Sequence, residues 1–148
     1  MEYTKYRLEI VREDSFNSKY EYNITNSVDV RDFLVNVCKL HRNPSEVVIV
    51  IAVNSKGNVI GFTQVSSGAI NSSIVEPREV FRYAIMSNAA AIILAHNHPS
   101  EDVTPSNDDL KVTRLIREAG DILKIKLLDH IIIGNETIYT SLRAMQCL

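Results

Sequence analysis

Two uninterrupted apolar runs restrict this chain more than anything else in it: Val47 to Val53 (VVIVIAV) and Ala89 to Ala95 (AAAIILA), the second of which ends at His96-Asn97-His98-Pro99. Short apolar runs with polar, turn-forming flanks read as buried strands, and both are far too short to span a bilayer. The first run makes Glu46 to Val53 a central strand. Asn54-Ser55-Lys56-Gly57-Asn58 then reads as a hairpin turn into a second strand, Val59 to Ser66. Helical spacing marks Val28 to Leu40, with Ser27 or Asp29 as its cap, and Pro77 to Ser87, with Val80, Phe81, Ala84 and Ile85 on its inner face. A third helix is expected from Ser106 to Ala119, stopped by Gly120. Lys126 to Ile133 and Thr137 to Ser141 form a last hairpin around Gly134-Asn135. Tyr3 to Val11 alternates in strand fashion, and the polar stretch Asp14 to Ser27 reads as a loop or an edge strand around Tyr20-Glu21-Tyr22. Strands and helices mixed with hairpins predict an α/β three-layer domain with a mixed sheet.

A length of 148 residues fits one domain, 1–148, in which residues 1–27 form an N-terminal strand and loop extension. The net charge of −2 argues against a broad electrostatic footprint for nucleic acid, which normally needs a basic domain. The N-terminal residues show no apolar signal region. Cys38 and Cys147 fall in no metal-binding spacing and read as reduced thiols of a cytoplasmic protein, with no membrane association expected.

Chemistry is concentrated after the second apolar run, where His96, His98, Ser106 and Asp109 follow the pattern H-x-H-x7-S-x2-D. An extended chain through His96-Asn97-His98 projects both imidazoles to one side, and Pro99 biases the residue before it toward that conformation. Ser106 and Asp109, three apart at a helix start, can face one way. Taken alone, that pair also reads as a simple capping box. Two imidazoles aimed into one space are harder to explain without a cation. With Asp109 they make an N/N/O set that leaves a fourth position for water, the pattern of catalytic zinc. His130 follows Asp129 in an apolar run and reads as a hydrogen-bonded strand residue. His41, beside Arg42 at a helix end, reads as structural.

These residues resemble the JAMM (JAB/MPN+) metalloprotease motif, and within it the RadC family. Members carry a stretch close to H-N-H-P-S-G-D-x-T-P-S-x-x-D, where this chain has H-N-H-P-S-E-D-V-T-P-S-N-D-D. Val75-Glu76-Pro77-Arg78-Glu79-Val80-Phe81 and Leu127-Leu128-Asp129-His130-Ile131-Ile132-Ile133-Gly134 resemble further family segments, so that the likeness covers about residues 44 to 142. It implies a three-layer α-β-α JAB/MPN (cytidine-deaminase-like) domain, with one zinc ion held by His96, His98 and Asp109 together with a bound water. It also implies a glutamate that handles the proton of that water. Residue chemistry alone does not choose among Glu46, Glu76 and Glu79, but the resemblance matches Glu46. Ser106 would then donate to the oxyanion, and the scissile bond would be a peptide or isopeptide bond in a peptide or protein substrate. One position departs from the family: Glu101 stands where glycine is usual, and a glutamate does not freely take a positive φ.

Full-length RadC proteins often carry an N-terminal helix-hairpin-helix module, for which residues 1–27 lack the glycine-rich hairpins. The leading class is therefore a zinc-dependent hydrolase. A DNA-repair-associated nucleic-acid-processing or accessory factor is the second class, with Glu101, Asp102 and Asp108 as extra carboxylates for a second metal. A non-catalytic MPN scaffold is the third. A zinc nucleobase deaminase is disfavoured because the P-C-x-x-C pair is missing.

Overall fold

The computed structural model describes residues 1–18, 21–68, 70 and 75–148. Five strands form one mixed sheet in the order β2-β1-β3-β4-β5, where β1 is Val47–Val53, β2 Val59–Ser67, β3 Ala91–Asn97, β4 Lys126–Ile133 and β5 Tyr139–Ser141. The β3–β4 pair is parallel and the others are antiparallel. Every residue of β1 and β3 is buried, because helices cover both faces of the sheet. Val48, Val50, Ala52, Ile92 and Leu94 pack with Val80, Phe81, Val112 and Ile116 of helices α2 (Pro77–Met86) and α3 (Asn107–Leu123). Val47, Ile49, Ile51, Ile93 and Ala95 pack on the other side with Val30, Phe33 and Leu34 of α1 (Ser27–Asn36). The result is the three-layer α/β arrangement with a mixed sheet that the alternation of helices and hairpins predicts.

Three expectations about elements need correction. Helix α1 is capped by Asn26, whose side chain accepts from the Val28 and Asp29 N–H groups while Asp29 answers back to the Asn26 N–H. It ends near Val37, not at Leu40. Lys39 takes a left-handed φ of 52°, and Leu40–Arg42, with His41, form a separate 3₁₀ turn that buries Leu40. Helix α3 runs through Gly120 to Leu123 and ends at Lys124, with φ 60°. Gly120 is retained inside it for space: a Cβ there would lie 2.5 Å from the Ile125 carbonyl oxygen and 3.2 Å from the Phe81 ring. That close approach outweighs the roughly 1 kcal/mol cost of glycine in a helix interior. Finally, Tyr3 to Val11 is not a strand. Among the described residues no strand pairs with it, and Tyr3, Tyr6, Leu8 and Val11 are exposed. Of the expected edge strand around Tyr20, residues 19 and 20 lie outside the described residues; nearby, Asn23 bridges to Asn58.

Candidate metal centre

The C-terminal end of β3 delivers His96 and, one residue past the strand, His98. The ladder continues through His98, whose N–H donates to the Ile133 carbonyl at 2.9 Å, so both rings emerge from the face that α3 covers. The two Nε2 atoms lie 3.0 Å apart. Asp109, in the first turn of α3, completes the group: Oδ1 is 3.3 Å from His96 Nε2, and Oδ2 is 3.6 Å from His98 Nε2. One donor atom from each of the three residues lies within 4.8 Å of the others.

Ser106 and Asp109 form the capping box, and Asp109 also faces the two histidines. Ser106 Oγ accepts the Asp109 N–H at 3.1 Å, and Asp109 Oδ2 accepts the Ser106 N–H at 2.7 Å. The cap fixes the carboxylate that faces the histidines, so helix initiation and site geometry share the same two side chains. Burial by itself raises the proton affinity of Asp109. Its contacts with His96 and Ser106 more than offset this and hold the carboxyl well below its ordinary range. His96 is fully buried, and burial lowers its pKa against the opposing pull of Asp109.

Two imidazoles with facing Nε2 atoms and a carboxylate beside them form a donor set that a divalent cation satisfies and that is poorly satisfied without one. His98 is oriented for this role, because its Nδ1 lies 2.6 Å from the Asp102 backbone carbonyl. A carbonyl only accepts, so Nδ1 carries the proton and Nε2 is the free nitrogen of the neutral ring.

Glu46, at the edge of β1, lines the same cleft of about 360 Å³ together with His98, Ser100, Asp102, Thr104, Ser106 and Asp109. It lies outside the three-residue donor group among the described residues. Its Oε2 accepts the Ile70 N–H at 3.1 Å, and its carbonyl accepts the Gly68 N–H at 2.8 Å. Glu76 and Glu79 sit at the start of α2, in ion pairs with Arg78 and Arg82.

Asn97, between the two histidines, is a residue that sequence reasoning passed over. It is buried; its Oδ1 accepts the Val47 N–H at 2.8 Å, and its Nδ2 donates to the carbonyls of Asn43 at 3.1 Å and Ser45 at 3.0 Å. These bonds bracket Glu46. The alternation that turns both histidines one way turns Asn97 the other, and that signal was available. His130 is hydrogen-bonded inside the strand layer, as expected, but its partner is His96, at 2.8 Å. The Asp129 carboxylate accepts the His130 backbone N–H, the Ser141 hydroxyl and the Arg143 N–H, and it makes no bond to the His130 ring.

Glu101 does adopt a positive φ, 64°. Its side chain turns away from the cleft and accepts from Asn135 Nδ2 at 2.9 Å, so of the carboxylates considered for a second metal only Asp102 lines the cleft. Asp108 is exposed beside Lys111. Relief of left-handed strain, about 1 kcal/mol, opposes the lost Asn135 bond and the added freedom of glycine in the unfolded chain. Glu101→Gly is therefore expected to change stability by less than about 1 kcal/mol and to leave metal content unchanged. Thermal melts with elemental analysis check this, and loss of metal in the variant would show that the loop depends on the glutamate.

Residues 24–147 match the model of the RadC-like JAB domain. The chain is 45% identical over 134 residues to a UPF0758 protein of Clostridium tetani, covering 90% of this chain and 58% of the relative. It is 49% identical over 119 residues to a UPF0758 protein of Staphylococcus aureus, covering 80% and 53%. A third, from Moorella thermoacetica, is 53% identical over 98 residues, covering 66% and 42%. The chain thus spans about half the length of the curated relatives it matches. With this match over most of its residues, on the fold just described, the chain belongs to the RadC-like JAB domain family.

Proposed function

We propose that this chain is a JAMM-type hydrolase that binds one zinc ion through His96, His98 and Asp109 and cleaves a peptide or isopeptide bond. The observation that carries this reading is the convergence of three donor atoms, with His98 and Asp109 lining a cleft that also contains Glu46 and Ser106, and His96 buried behind them. When bound, zinc polarises a carbonyl and brings the pKa of a coordinated water to about 7.

The chain's own residues supply the rest. Glu46 commits one carboxylate oxygen to the Ile70 N–H, which leaves the other to take a proton from water and pass it to the leaving amine. Ser106 Oγ acts as an acceptor toward the Asp109 N–H, so its own O–H can donate to an oxyanion, a contribution of about 10²–10³ in rate. The net charge of −2 gives no reason to prefer nucleic acid as substrate. Both cysteines are free, which fits a reducing, cytoplasmic compartment. No helix among the described residues is long and apolar enough to cross a membrane.

The test is elemental analysis of protein purified without added metal or chelator, followed by a screen of peptide and isopeptide substrates. The expected result is about one zinc per chain and cleavage that a chelator abolishes. A chain that takes up no metal even after zinc titration would overturn the reading.

A further inference from the structure

Behind the metal-facing groups lies a buried chain of hydrogen bonds that the proposed chemistry does not use. Thr113 Oγ1 lies 2.6 Å from the Asp109 carbonyl oxygen and 2.6 Å from His130 Nδ1. His130 Nε2 lies 2.8 Å from His96 Nδ1. All three side chains are fully buried, so no solvent stands in for a missing partner.

The direction of each bond follows from what each atom can do. A carbonyl only accepts, so the single hydroxyl proton of Thr113 goes to Asp109, and Thr113 Oγ1 must accept at its other contact. His130 therefore carries a proton on Nδ1. Among the described residues its ring hydrogen-bonds only to the Thr113 hydroxyl and the His96 imidazole, with no carboxylate to balance a charge in this buried place, so the neutral ring holds that one proton and its Nε2 is bare. A bare Nε2 can only accept, so His96 carries its own proton on Nδ1. In the neutral ring this tautomer leaves His96 Nε2 unprotonated, aimed at His98 and Asp109.

We propose that Thr113 and His130 are positioning residues that fix the tautomer of His96, so that the nitrogen facing His98 and Asp109 is ready to bind metal before any metal arrives. This rests on the metal reading above. Ligand histidines usually hand their second N–H to a carboxylate or a backbone carbonyl. Here a second imidazole takes that part, and an imidazole can donate as well as accept, so it needs an orienting group of its own. Thr113 is that group. It stands one turn beyond Asp109 on α3, so one helix provides both a metal-facing carboxylate and the hydroxyl that sets the tautomer of the opposite histidine.

Thr113→Val removes the hydroxyl with little change in shape. His130 Nδ1 would then face a methyl group, the proton of His130 would move to Nε2, and His96 would have to accept at Nδ1 and carry its own proton on Nε2, inside the site. Thr113→Ser keeps the hydroxyl. Two measurements test this, both independent of catalysis. The first is zinc affinity by competition with a chromophoric chelator. The second is the tautomer of His96, read from long-range nitrogen–proton spectra of the metal-free protein at about pH 8, above the ordinary histidine range.

The parent is expected to show His96 protonated on Nδ1. Thr113→Val is expected to bind zinc about 10–100-fold more weakly and to show His96 protonated on Nε2, while Thr113→Ser stays close to the parent in both. Parent-like affinity and tautomer in Thr113→Val would overturn the proposal, as would an Nε2-protonated His96 in the metal-free parent, which is decisive even if the valine variant fails to fold. If the parent binds no zinc, the metal reading fails, and the spectrum of the metal-free protein still judges the tautomer assignment on its own.

Discussion

Glu46→Gln is expected to leave the chain with its full complement of zinc and to lower hydrolysis by about 10²–10⁴-fold, whereas Asp109→Ala is expected to remove the zinc itself. The two carboxylates border one cleft but stand in different relations to it. Asp109 Oδ1 and Oδ2 lie 3.3 and 3.6 Å from the two imidazole Nε2 atoms. Glu46 is tied through Oε2 to the backbone N–H of Ile70, just beyond β2. Glutamine matches glutamate in size but cannot take up a proton at neutral pH, so only the proton-handling step should suffer. Asp109→Ala also strips the Ser106 N–H of its acceptor, and loss of half a capping box costs about 1 kcal/mol of stability. Metal content per chain, measured beside the rate on one substrate, separates the two roles. Zinc loss in Glu46→Gln would make Glu46 a ligand. Parent-like activity in Glu46→Gln would remove it from proton transfer.

How far the sequence could be read depended on whether the signal was local. Val47–Val53 and Ala91–Asn97 announce themselves because unbroken apolar stretches can only be buried, and the five strands lie close to where the apolar runs and hairpin turns put them. His96, His98 and Asp109 come together because a strand end and a helix start each have a fixed side-chain direction. Tyr3 to Val11 failed as a strand because alternation does not provide a hydrogen-bonding edge. Gly120 does not stop the helix, and the Ile125 carbonyl that requires a glycine there comes from the turn between α3 and β4, which local spacing does not reveal. His130 and Thr113 could not be tied to His96 from the chain alone. That contact depends on the parallel β3–β4 register, which pairs Leu94 with His130 and so places its ring beside that of His96, 4.9 Å between centroids. A one-residue slip would turn His130 to the other face.

Asn97→Ala should cost the fold about 2–4 kcal/mol, because truncation leaves the buried Val47 N–H without an acceptor and cuts two further bonds to the 43–45 carbonyls. The effect on catalysis follows from where those bonds fall. Ser45 and Val47, the neighbours of Glu46 on either side, are both held by the Asn97 amide, so Asn97 fixes the distance between the β3 end that presents the histidines and the β1 end that presents the glutamate. The histidines themselves project to the other face of β3 and keep their own partners at Asp109, His130 and the Asp102 carbonyl. Zinc affinity should therefore change little, while kcat falls, because a shift of about 1 Å in a reacting group can cost 10²-fold. Amide hydrogen exchange supplies a readout that needs no substrate: the Val47 N–H should lose protection in Asn97→Ala, while the N–H groups of Ile92 to Leu94 keep theirs. Asn97→Asp sharpens the test, since it retains the acceptor for the Val47 N–H but sets a carboxylate against two carbonyl oxygens, so it should do no better than alanine. If either variant kept parent-like stability and kcat, Glu46 would be held by the Gly68 and Ile70 contacts alone, and the link between the two strand ends would carry no catalytic weight.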